Sequence, residues 1–438
     1  MCAKISGFSK KSKNEKIEWL ATHYLEEHPD AISILKQYWN TNEGLQQLHD
    51  DFIENTLTNY YLPFGIAPNF LINDTLYAIP MVIEESSVVA AASNAAKFWL
   101  QRGGFNAEVI STVKNGQIHM NYYGNADELQ HFFQKVKPQL LDSVLELQRN
   151  MKKRGGGVLD IELIDSTEAL EGYYQLHCTF ETLDAMGANF INSCLEQFAQ
   201  TFEAEADRHG AFQEETSFPK VVMSILSNYV PECTVKASVS CPVSELGQGD
   251  IEGDEFAEDF VRAVQIAKTE TRRAVTHNKG IMNGIDAVIV ATGNDFRAVE
   301  AGVHAYASRN GHYESLTTAS VKDGVFNFSI EVPLALGTVG GLTSLHPMVK
   351  VALQILQNPS AKELMKIVAV AGLAQNFAAL RSLVTTGIQK GHMKMHLMNI
   401  LNQMDASTEE KEKAEKHFQD AVISHSAVTD FIANLRAD

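Results

Sequence analysis

The spacing of hydrophobic residues changes partway along the chain, and this change restricts the folds that it can adopt. The first hundred residues have mainly helical patterns, most clearly in the alanine-rich run 86–102. From about Val109 short alternating runs such as 117–122 predict strands, and a helical stretch then ends at three glycines, 155–157. The sequence therefore predicts a mixed α+β fold in which a second domain begins near Val109.

The rest of the chain keeps this mixed character. We predict further strands at 160–163, 173–180, 221–228, 233–240 and 325–332, and further helices that end near Arg208 or span about 254–272 and 295–308. A capping box at Ser360 and Glu363 begins another long helix. A second box, at Ser407 and Glu410, lies in the charged last fifty residues, which are predicted to form a helical lobe hinged near Gly387.

The composition excludes several classes of protein. Hydrophobic residues make up 45% and charged residues 21% of the 438 residues, as in ordinary globular proteins with more than one core. The net charge of -18 repels nucleic-acid phosphates and anionic membranes. The first residues lack the apolar core of a signal peptide, so no leader is expected, and no apolar run is identified as a membrane span. The five cysteines are odd in number and include no CxxC pair. A cytoplasmic protein without nucleic-acid or membrane partners is expected.

Nucleotide-binding signals are unusual in this chain. The GxGxxG fingerprint of Rossmann domains does not occur, so a nucleotide would have to be held in another way. The segment RNMKKRGGG, residues 149–157, places four cations before three glycines, and both cations and free backbone amides suit phosphates. A solvated helix end is the alternative interpretation of this segment.

Several polar residues are candidates for chemistry, and each also has an ordinary structural interpretation. Lys279 in THNKGIMNGIDAVIVATGND stands before Gly280, which suggests a turn whose ammonium points into a cavity, or simply a solvated loop lysine. Asp295 is either a site residue or a helix N-cap, and Glu85 precedes a helix whose dipole favours a carboxylate.

His392 follows the predicted hinge, where it suits a mobile proton donor, and a surface histidine is the alternative. With His396 it has the i, i+4 spacing of a metal pair. However, the glutamate of HExxH and a third ligand are missing, so no metal is expected.

Taken together, the segments resemble hydroxymethylglutaryl-coenzyme A (HMG-CoA) reductase, in particular its soluble bacterial class II. The resemblance runs from 54 to 393 and is carried by MVIEESSVVAAASNAAK, RGGG, DAMGAN, SILSN, THNKGIMNGIDAVIVATGND, VEAGVHAYASRNGHY, AGLAQN and GHM, in that order. It implies a two-step, four-electron reduction of HMG-CoA to mevalonate and CoA by two nicotinamide cofactors, in the mevalonate route to isoprenoids.

The family implies four catalytic groups, which match Glu85, Lys279, Asp295 and His392 here. Lys279 would stabilise the negative charge that hydride addition builds on the thioester oxygen, and the two carboxylates would keep its ammonium charged. Glu85 would donate a proton to the developing alcohol, and His392 would protonate the departing CoA thiolate. The two polar ends of the stretch 276–295 are thus expected to meet in one site.

The resemblance also implies binding residues, a domain plan and an assembly. Substrate contacts would be Ser87, Arg273, Asn283 and Asn376, and cofactor contacts Asp184, Ala185, Met186, Gly187, Ala188, Asn189, Asn228, Arg149 and Lys152. A large, mainly helical substrate and CoA domain (1–112 and 222–386) would carry an inserted small ferredoxin-like, non-Rossmann nucleotide domain (113–221) and a mobile helical flap (387–438). The family implies a homodimer with a shared active site, or an oligomer of such dimers.

Some positions depart from the family pattern. Ser86 replaces a usual proline, and ENTLTNYYLP and GGLTSLHP differ from the usual blocks. Gln148 stands where an NADH-type relative would show an acid, and cations at Arg149 and Lys152 follow, so NADPH is favoured and NADH is the alternative. Two other functions stay open: NAD-dependent oxidation of mevalonate in catabolism, and a non-catalytic relative that binds CoA or a nucleotide.

Overall fold

The computed structural model describes residues 4–212, 218–385, 397–418 and 421–437. The chain divides into two compact units, Met1–Pro63 and Phe64–Asp438. The first unit contains helices α1 (Lys13–Tyr24), α2 (Ala31–Gln37) and α3 (Glu43–Asp50). A capping box of Ser12 and Glu15 begins α1, and an ion pair of 2.8 Å between Lys13 Nζ and Asp50 Oδ2 joins the first helix to the third.

The second unit begins with a hairpin of β1 (Phe64–Ile72) and β2 (Thr75–Val82). The expectation that the first hundred residues are mainly helical is wrong here. Asn73 and Asp74 both have positive φ, 46° and 64°, as the two-residue turns of tight hairpins require. An Asn-Asp pair between two apolar runs was the sequence signal for this hairpin.

The larger part of the second unit is built on a four-stranded antiparallel sheet in the order β3-β8-β10-β9. Its strands are β3 (Asn106–Val109), β8 (Thr234–Pro242), β9 (Thr317–Lys322) and β10 (Val325–Pro333). Its helices are α4 (Val88–Leu100), α8 (Gly253–Thr269), α9 (Thr271–Ala291), α10 (Phe296–Tyr306), α11 (Leu342–Leu345), α12 (Pro347–Ile355) and α13 (Ala361–Val384). The predicted capping box of Ser360 and Glu363 is confirmed at the start of α13.

Helix α13 is the centre of the largest core. It is long and apolar enough to span a membrane, which the sequence analysis did not anticipate, but 72% of its most apolar stretch is buried inside the fold. It packs directly on α9, where a Cβ at Gly284 would lie only 2.5 Å from the carbonyl oxygen of Ala371. Gly284 therefore allows the two backbones to approach, and this contact fixes the helix that carries Lys279.

A second sheet has the order β5-β6-β4-β7 and a core of its own. The elements of this part of the chain are, in order, β4 (Lys114–Asn121), α5 (Ala126–Ser143), α6 (Leu145–Lys152), β5 (Gly157–Asp165), β6 (Tyr173–Glu181), α7 (Ala188–Asp207) and β7 (Lys220–Leu226). All its strand pairs are antiparallel, and the connection order is βαββαβ. This is the ferredoxin-like arrangement, so the predicted α+β class with a small non-Rossmann sheet is confirmed.

The chain passes from the larger sheet to the smaller one between Val109 and Lys114, and returns between Leu226 and Thr234. Near the C-terminus, helices at 397–403, Thr408–His417 and His425–Ala437 enclose a third, small core. The second capping box, of Ser407 and Glu410, is confirmed there. The predicted hinge at Gly387 lies outside the described residues, and the domain limits and mobile flap stay predictions.

Candidate active site

Lys279 and Glu85 form an ion pair although 194 positions separate them in the sequence. Lys279 Nζ lies 2.6 Å from Glu85 Oε2, and Asn283 Nδ2, one helical turn further along α9, donates to the same oxygen at 3.3 Å. Lys279 lies inside α9, so the predicted turn at this residue is wrong. The side chains are 59% and 38% exposed, so the described chain leaves this pair open to solvent.

The loop between β2 and α4 presents Glu85. Ser87, the residue before α4, has a left-handed backbone with φ 75°, and its side chain makes no cap hydrogen bond to the helix. Such a conformation is unusual for a residue with a Cβ and is often found at functional sites. Ser87, predicted to contact the substrate, thus lies two positions from Glu85 with a hydroxyl that does not cap α4.

The two residues before Lys279 anchor α9 to the protein interior. His277 Nε2 lies 2.7 Å from Thr317 Oγ1 and 2.9 Å from Ser315 Oγ. The side chain of Asn278 donates to the Glu314 carbonyl at 2.9 Å and accepts from Leu316 N at 3.1 Å. Burial, helped by the nearby Arg273, lowers the pKa of His277 to about 3, so the ring is neutral.

Asn376, predicted to contact the substrate, belongs to this same buried network. It is 1% exposed, its Oδ1 accepts a bond from Thr317 Oγ1 at 3.1 Å, and its Nδ2 donates to the His277 carbonyl at 3.5 Å. The structure therefore places Asn376 beneath α9 as a support for that helix, because its polar atoms are bonded to protein groups. Sequence reasoning missed His277 and Asn278, although THNK joins two polar residues directly to the lysine.

Arg273, which is predicted to contact the substrate carboxylate, lies on α9 in the turns before Lys279. Partial burial lowers its pKa. The carboxylate of Glu270 begins the helix by accepting hydrogen bonds from the backbone N–H groups of Arg272 and Arg273, at 3.2 and 2.6 Å. Arg273, Lys279 and Asn283 thus share one helix, whose start is fixed by this cap.

Asp295 lies at the other end of α9 from Lys279. Its Oδ1 accepts hydrogen bonds from Arg297 N at 3.0 Å and Ala298 N at 3.2 Å, so it is the N-cap of α10. Its carboxylate is also 3.3 Å from the guanidinium of Arg297. Ala291, the last residue of α9, lies twelve positions beyond Lys279, a rise of about 18 Å along the helix at 1.5 Å per residue, and Asp295 follows it. One chain therefore does not bring Asp295 to Lys279.

Asp295 faces a cleft between the two sheets. This cavity has a volume of about 640 Å³. Three segments line it: 185–190, 293–297, and 337–343 without Thr338; Met151 and Val290 complete the lining. The first segment contains the predicted cofactor residues Ala185, Met186, Gly187, Ala188 and Asn189. Helix α7 begins at this cleft, and its Gly187 N-cap has φ 93° and provides no side-chain cap. Because Gly187 has no side chain, the first backbone N–H groups of α7 receive no hydrogen bond from an N-cap side chain.

Other predicted cofactor residues lie elsewhere. The carboxylate of Asp184 accepts from Ala361 N at 2.8 Å and so caps α13, while its carbonyl accepts from Thr338 N at 2.8 Å. Asn228 lines a separate small cavity of about 30 Å³ together with Lys114 and Met186. The cofactor roles of Asp184 and Asn228 stay predictions.

Helix α6 reaches the cleft at Met151. Arg149 and Lys152 are exposed on this helix, and Arg149 makes a 3.4 Å ion pair with Glu146. Gln148 is 1% exposed, and its Oε1 accepts from Val158 N at 3.0 Å. The interpretation of Gln148 as a residue that faces a cofactor ribose is therefore not supported, because its side chain is bonded to β5.

His392 and His396 lie outside the described residues. Within 4–212, 218–385, 397–418 and 421–437, no three His, Cys, Asp or Glu side chains are grouped as a metal ion would require.

Comparisons with known proteins agree with this geometry. The family model described as "Hydroxymethylglutaryl-coenzyme A reductase" matches residues 13–397. The 3-hydroxy-3-methylglutaryl-coenzyme A reductase of Archaeoglobus fulgidus is 37% identical over 94% of this chain and 90% of its own length. A probable reductase of Borreliella burgdorferi is 37% identical over 81% of this chain and 79% of its own.

Solved structures from Streptococcus pneumoniae have the same fold. Its 3-hydroxy-3-methylglutaryl-coenzyme A reductase matches with a TM-score of 0.73 and 35% identity, over 99% of this chain and 100% of that one. A class II enzyme bound to NADPH in open conformations matches with a TM-score of 0.72 and 36% identity, over 87% and 100% of the two chains. The chain belongs to the hydroxymethylglutaryl-coenzyme A reductase family of oxidoreductases.

Proposed function

We propose that this chain reduces HMG-CoA to mevalonate and CoA, with Lys279 and Glu85 as its central catalytic pair. The observation that carries the proposal is the 2.6 Å contact between these two side chains, which converge from distant segments of the sequence. The overall reaction consumes two NADPH and two protons and yields mevalonate, CoA and two NADP⁺. A non-catalytic binder of CoA would not need this pair.

NADPH, held by the residues that line the cleft, would supply the hydride for each of the two reductions. Hydride addition to the thioester carbonyl places negative charge on its oxygen, and the Lys279 ammonium stabilises that charge. Glu85, held by Lys279 and Asn283, would take up one of the two protons that the reaction consumes and pass it to the alcohol oxygen in the second reduction. Between the reductions the carbon–sulfur bond breaks, and His392 protonates the CoA thiolate that leaves.

The cleft between the sheets suits a dinucleotide. Its wall contains the N-terminus of α7, which lacks a side-chain cap, and the exposed Arg297, and both favour phosphates. We infer that NADPH is preferred to NADH because Arg149 and Lys152 are exposed on α6, whose Met151 lines the cleft. The streptococcal relative bound to NADPH supports the same inference.

We infer a homodimer with a shared active site. Lys279 is 59% exposed, whereas an ammonium stabilises an oxyanion well only where water is excluded. A second copy that places its Asp295 against Lys279 would close the site and bring in the acid that, within one chain, lies beyond the far end of α9. We infer that the C-terminal lobe is a mobile flap that carries His392 and covers the remaining opening of the active site. We also infer that the enzyme is cytoplasmic.

The assay is to mix the purified protein with HMG-CoA and either NADPH or NADH, and to follow the nicotinamide absorbance. We expect oxidation of NADPH that depends on HMG-CoA. Lys279→Ala should reduce kcat by about a hundredfold or more, as removal of one oxyanion donor does, while HMG-CoA binding measured by calorimetry persists. Lys322→Ala, which removes an exposed lysine on β9, is the matched control.

The alternative functions give different results. A marked preference for NAD with mevalonate and CoA would favour the catabolic direction. CoA binding without turnover of either cofactor would indicate a non-catalytic relative. An unchanged rate in Lys279→Ala would contradict the oxyanion role.

A further inference from the structure

Lys114 is a buried lysine that the proposed chemistry does not use. It lies at the start of β4 and is only 4% exposed. Its Nζ donates to Thr182 Oγ1 at 2.5 Å and to the Ala185 carbonyl at 3.1 Å. A buried ammonium is costly unless it is paired and hydrogen bonded, so this arrangement is a built feature rather than an incidental contact.

The partners of Lys114 belong to the loop 182–187, which leads from β6 to α7. The Thr182 hydroxyl donates in turn to the Ala185 carbonyl at 2.7 Å, so the ammonium, the hydroxyl and the carbonyl form a closed triangle. Leu183 has a positive φ of 53°, which a residue with a side chain rarely adopts without support. The Lys114 triangle supplies such support on both sides of Leu183.

The same loop is one wall of the candidate cofactor cleft. Ala185, Met186 and Gly187 line it, and α7 begins directly after Gly187. Because a peptide unit is planar, fixing the Ala185 carbonyl also fixes the N–H of Met186 on the opposite side of that unit. The backbone at Gly337 approaches this loop closely, since a Cβ at Gly337 would lie 2.5 Å from Met186 N, so the loop has little room to shift toward it.

We propose that Lys114 is a positioning residue for the cofactor: its buried ammonium holds the loop 182–187, and through it the N-terminus of α7, in the conformation that receives the nucleotide. This inference rests on the proposed function of the cleft. Lys114 acts through the loop, because its ammonium is bonded to Thr182 and Ala185 and Lys114 is not among the residues that line the cleft.

The charge of Lys114 should make the conformation of the loop 182–187 depend on pH. Burial lowers the pKa of this ammonium, while Cys233, Glu181 and Asp184 around it act in the opposite direction. Those three groups are the titratable neighbours that face it. Since the neutral amine binds both oxygens less strongly, the loop should loosen when the pH rises through this lowered pKa, at a pH where an ordinary exposed lysine is still charged.

The test compares Lys114→Met with the wild type and with Lys220→Met, which removes an exposed lysine from β7 of the same sheet. In Lys114→Met we expect the KM for NADPH to rise by about tenfold, the effect of losing a charge-assisted hydrogen bond, with kcat within about twofold. In the wild type this KM should rise at alkaline pH, and in Lys114→Met the rise should be absent. Lys220→Met should match the wild type.

Thr182→Val is a second variant in case Lys114→Met does not fold. It removes the hydroxyl that links the ammonium to Ala185, keeps the side-chain volume, and should raise the KM in the same direction. Backbone amide exchange of residues 183–188 should accelerate in both variants. A folded variant with the KM, the pH profile and the amide exchange of the wild type would overturn the proposal.

Failure of the proposed function would be recognised separately. If the wild type does not turn over HMG-CoA, the amide exchange of 183–188, measured with and without NADPH, still decides the role of Lys114. Faster exchange in Lys114→Met than in Lys220→Met supports it, and equal exchange refutes it.

Discussion

The carboxyl group of Asp286 in α9 lies beside that of Glu300 in α10, and burial together with this second carboxyl group favours the protonated form of Asp286. Burial and the neighbouring Glu300 raise the pKa of Asp286 far above its usual range, to about 9, whereas bonds to His304 and Asp286 lower the pKa of Glu300. The proton therefore resides on Asp286. Glu300 Oε2 also lies 2.8 Å from His304 Nε2, and His304 Nδ1 lies 2.7 Å from Tyr313 Oη.

This pair predicts a loss of stability with rising pH. Between about pH 4 and 9 the folded state keeps the Asp286 proton while the unfolded state releases it, so the free energy of unfolding falls as the pH rises. The slope should be less than the ~1.4 kcal/mol per pH unit of a fully buried group, because Asp286 is partly exposed. Asp286→Asn should flatten this slope in urea unfolding from pH 5 to 8.

Glu258→Gln, which changes an exposed acid on α8, is the control for that experiment and should keep the slope of the wild type. An Asp286→Asn variant whose stability follows the pH dependence of the wild type would show that Asp286 does not carry this proton.

His277 predicts the opposite pH dependence. Its folded-state pKa is about 3, so between about pH 6.5 and 3 the unfolded state binds a proton that the folded state refuses. The free energy of unfolding should fall as the pH is lowered through this window, by up to ~1.4 kcal/mol per pH unit. His277→Gln, which keeps a polar group near Thr317, should remove much of this dependence, as measured by thermal unfolding.

His131→Gln on α5 is a matched change at an exposed histidine. If it altered the acid dependence as much as His277→Gln, the effect could not be assigned to burial of His277.

The neutral His277 ring also has a defined tautomer, with its proton on Nε2. Thr317 Oγ1 donates its hydrogen to Asn376 Oδ1 and therefore accepts one from His277 Nε2–H.

A shared active site predicts complementation between two inactive variants. If the partner subunit's Asp295 completes the site at Lys279, a mixed dimer of Lys279→Ala and Asp295→Ala has one site with both residues intact. Co-expression with two different tags should then recover about half of the wild-type kcat, because one of two equivalent sites is whole. No recovery in purified mixed dimers would mean that both residues act from one chain.

Replacing Asp184 is expected to lower the stability of the folded protein. Its carboxylate caps α13 through Ala361 N at 2.8 Å, and loss of such a cap costs about 1 kcal/mol. Asp184→Ala should lower the free energy of unfolding in urea by about this amount, whereas Asp184→Asn, which keeps an acceptor oxygen, should lose less. Equal losses in the two variants would argue against the cap.

Local patterns in the sequence determined most of the elements. The capping boxes at Ser360 and Ser407 begin helices, and the alternating runs at 173–180 and 325–332 are strands, because these signals act over a few neighbouring residues. The hairpin at 64–82 was missed because its turn signal, Asn73-Asp74, was overlooked in a segment interpreted as helical. Lys279 was assigned to a turn because Gly280 usually breaks helices, but packing of α9 on α13 stabilises the helix there.

The sequence by itself supplied the residue types that a reductase needs and the order of the segments that carry them. Only the tertiary structure decided which of them meet: it joins Glu85 to Lys279, separates Asp295 from both, and turns Asn376 and Gln148 into the interior. The physical reason is that burial and long-range contacts depend on how helices and sheets pack, and no local pattern encodes the distance between residues 194 positions apart.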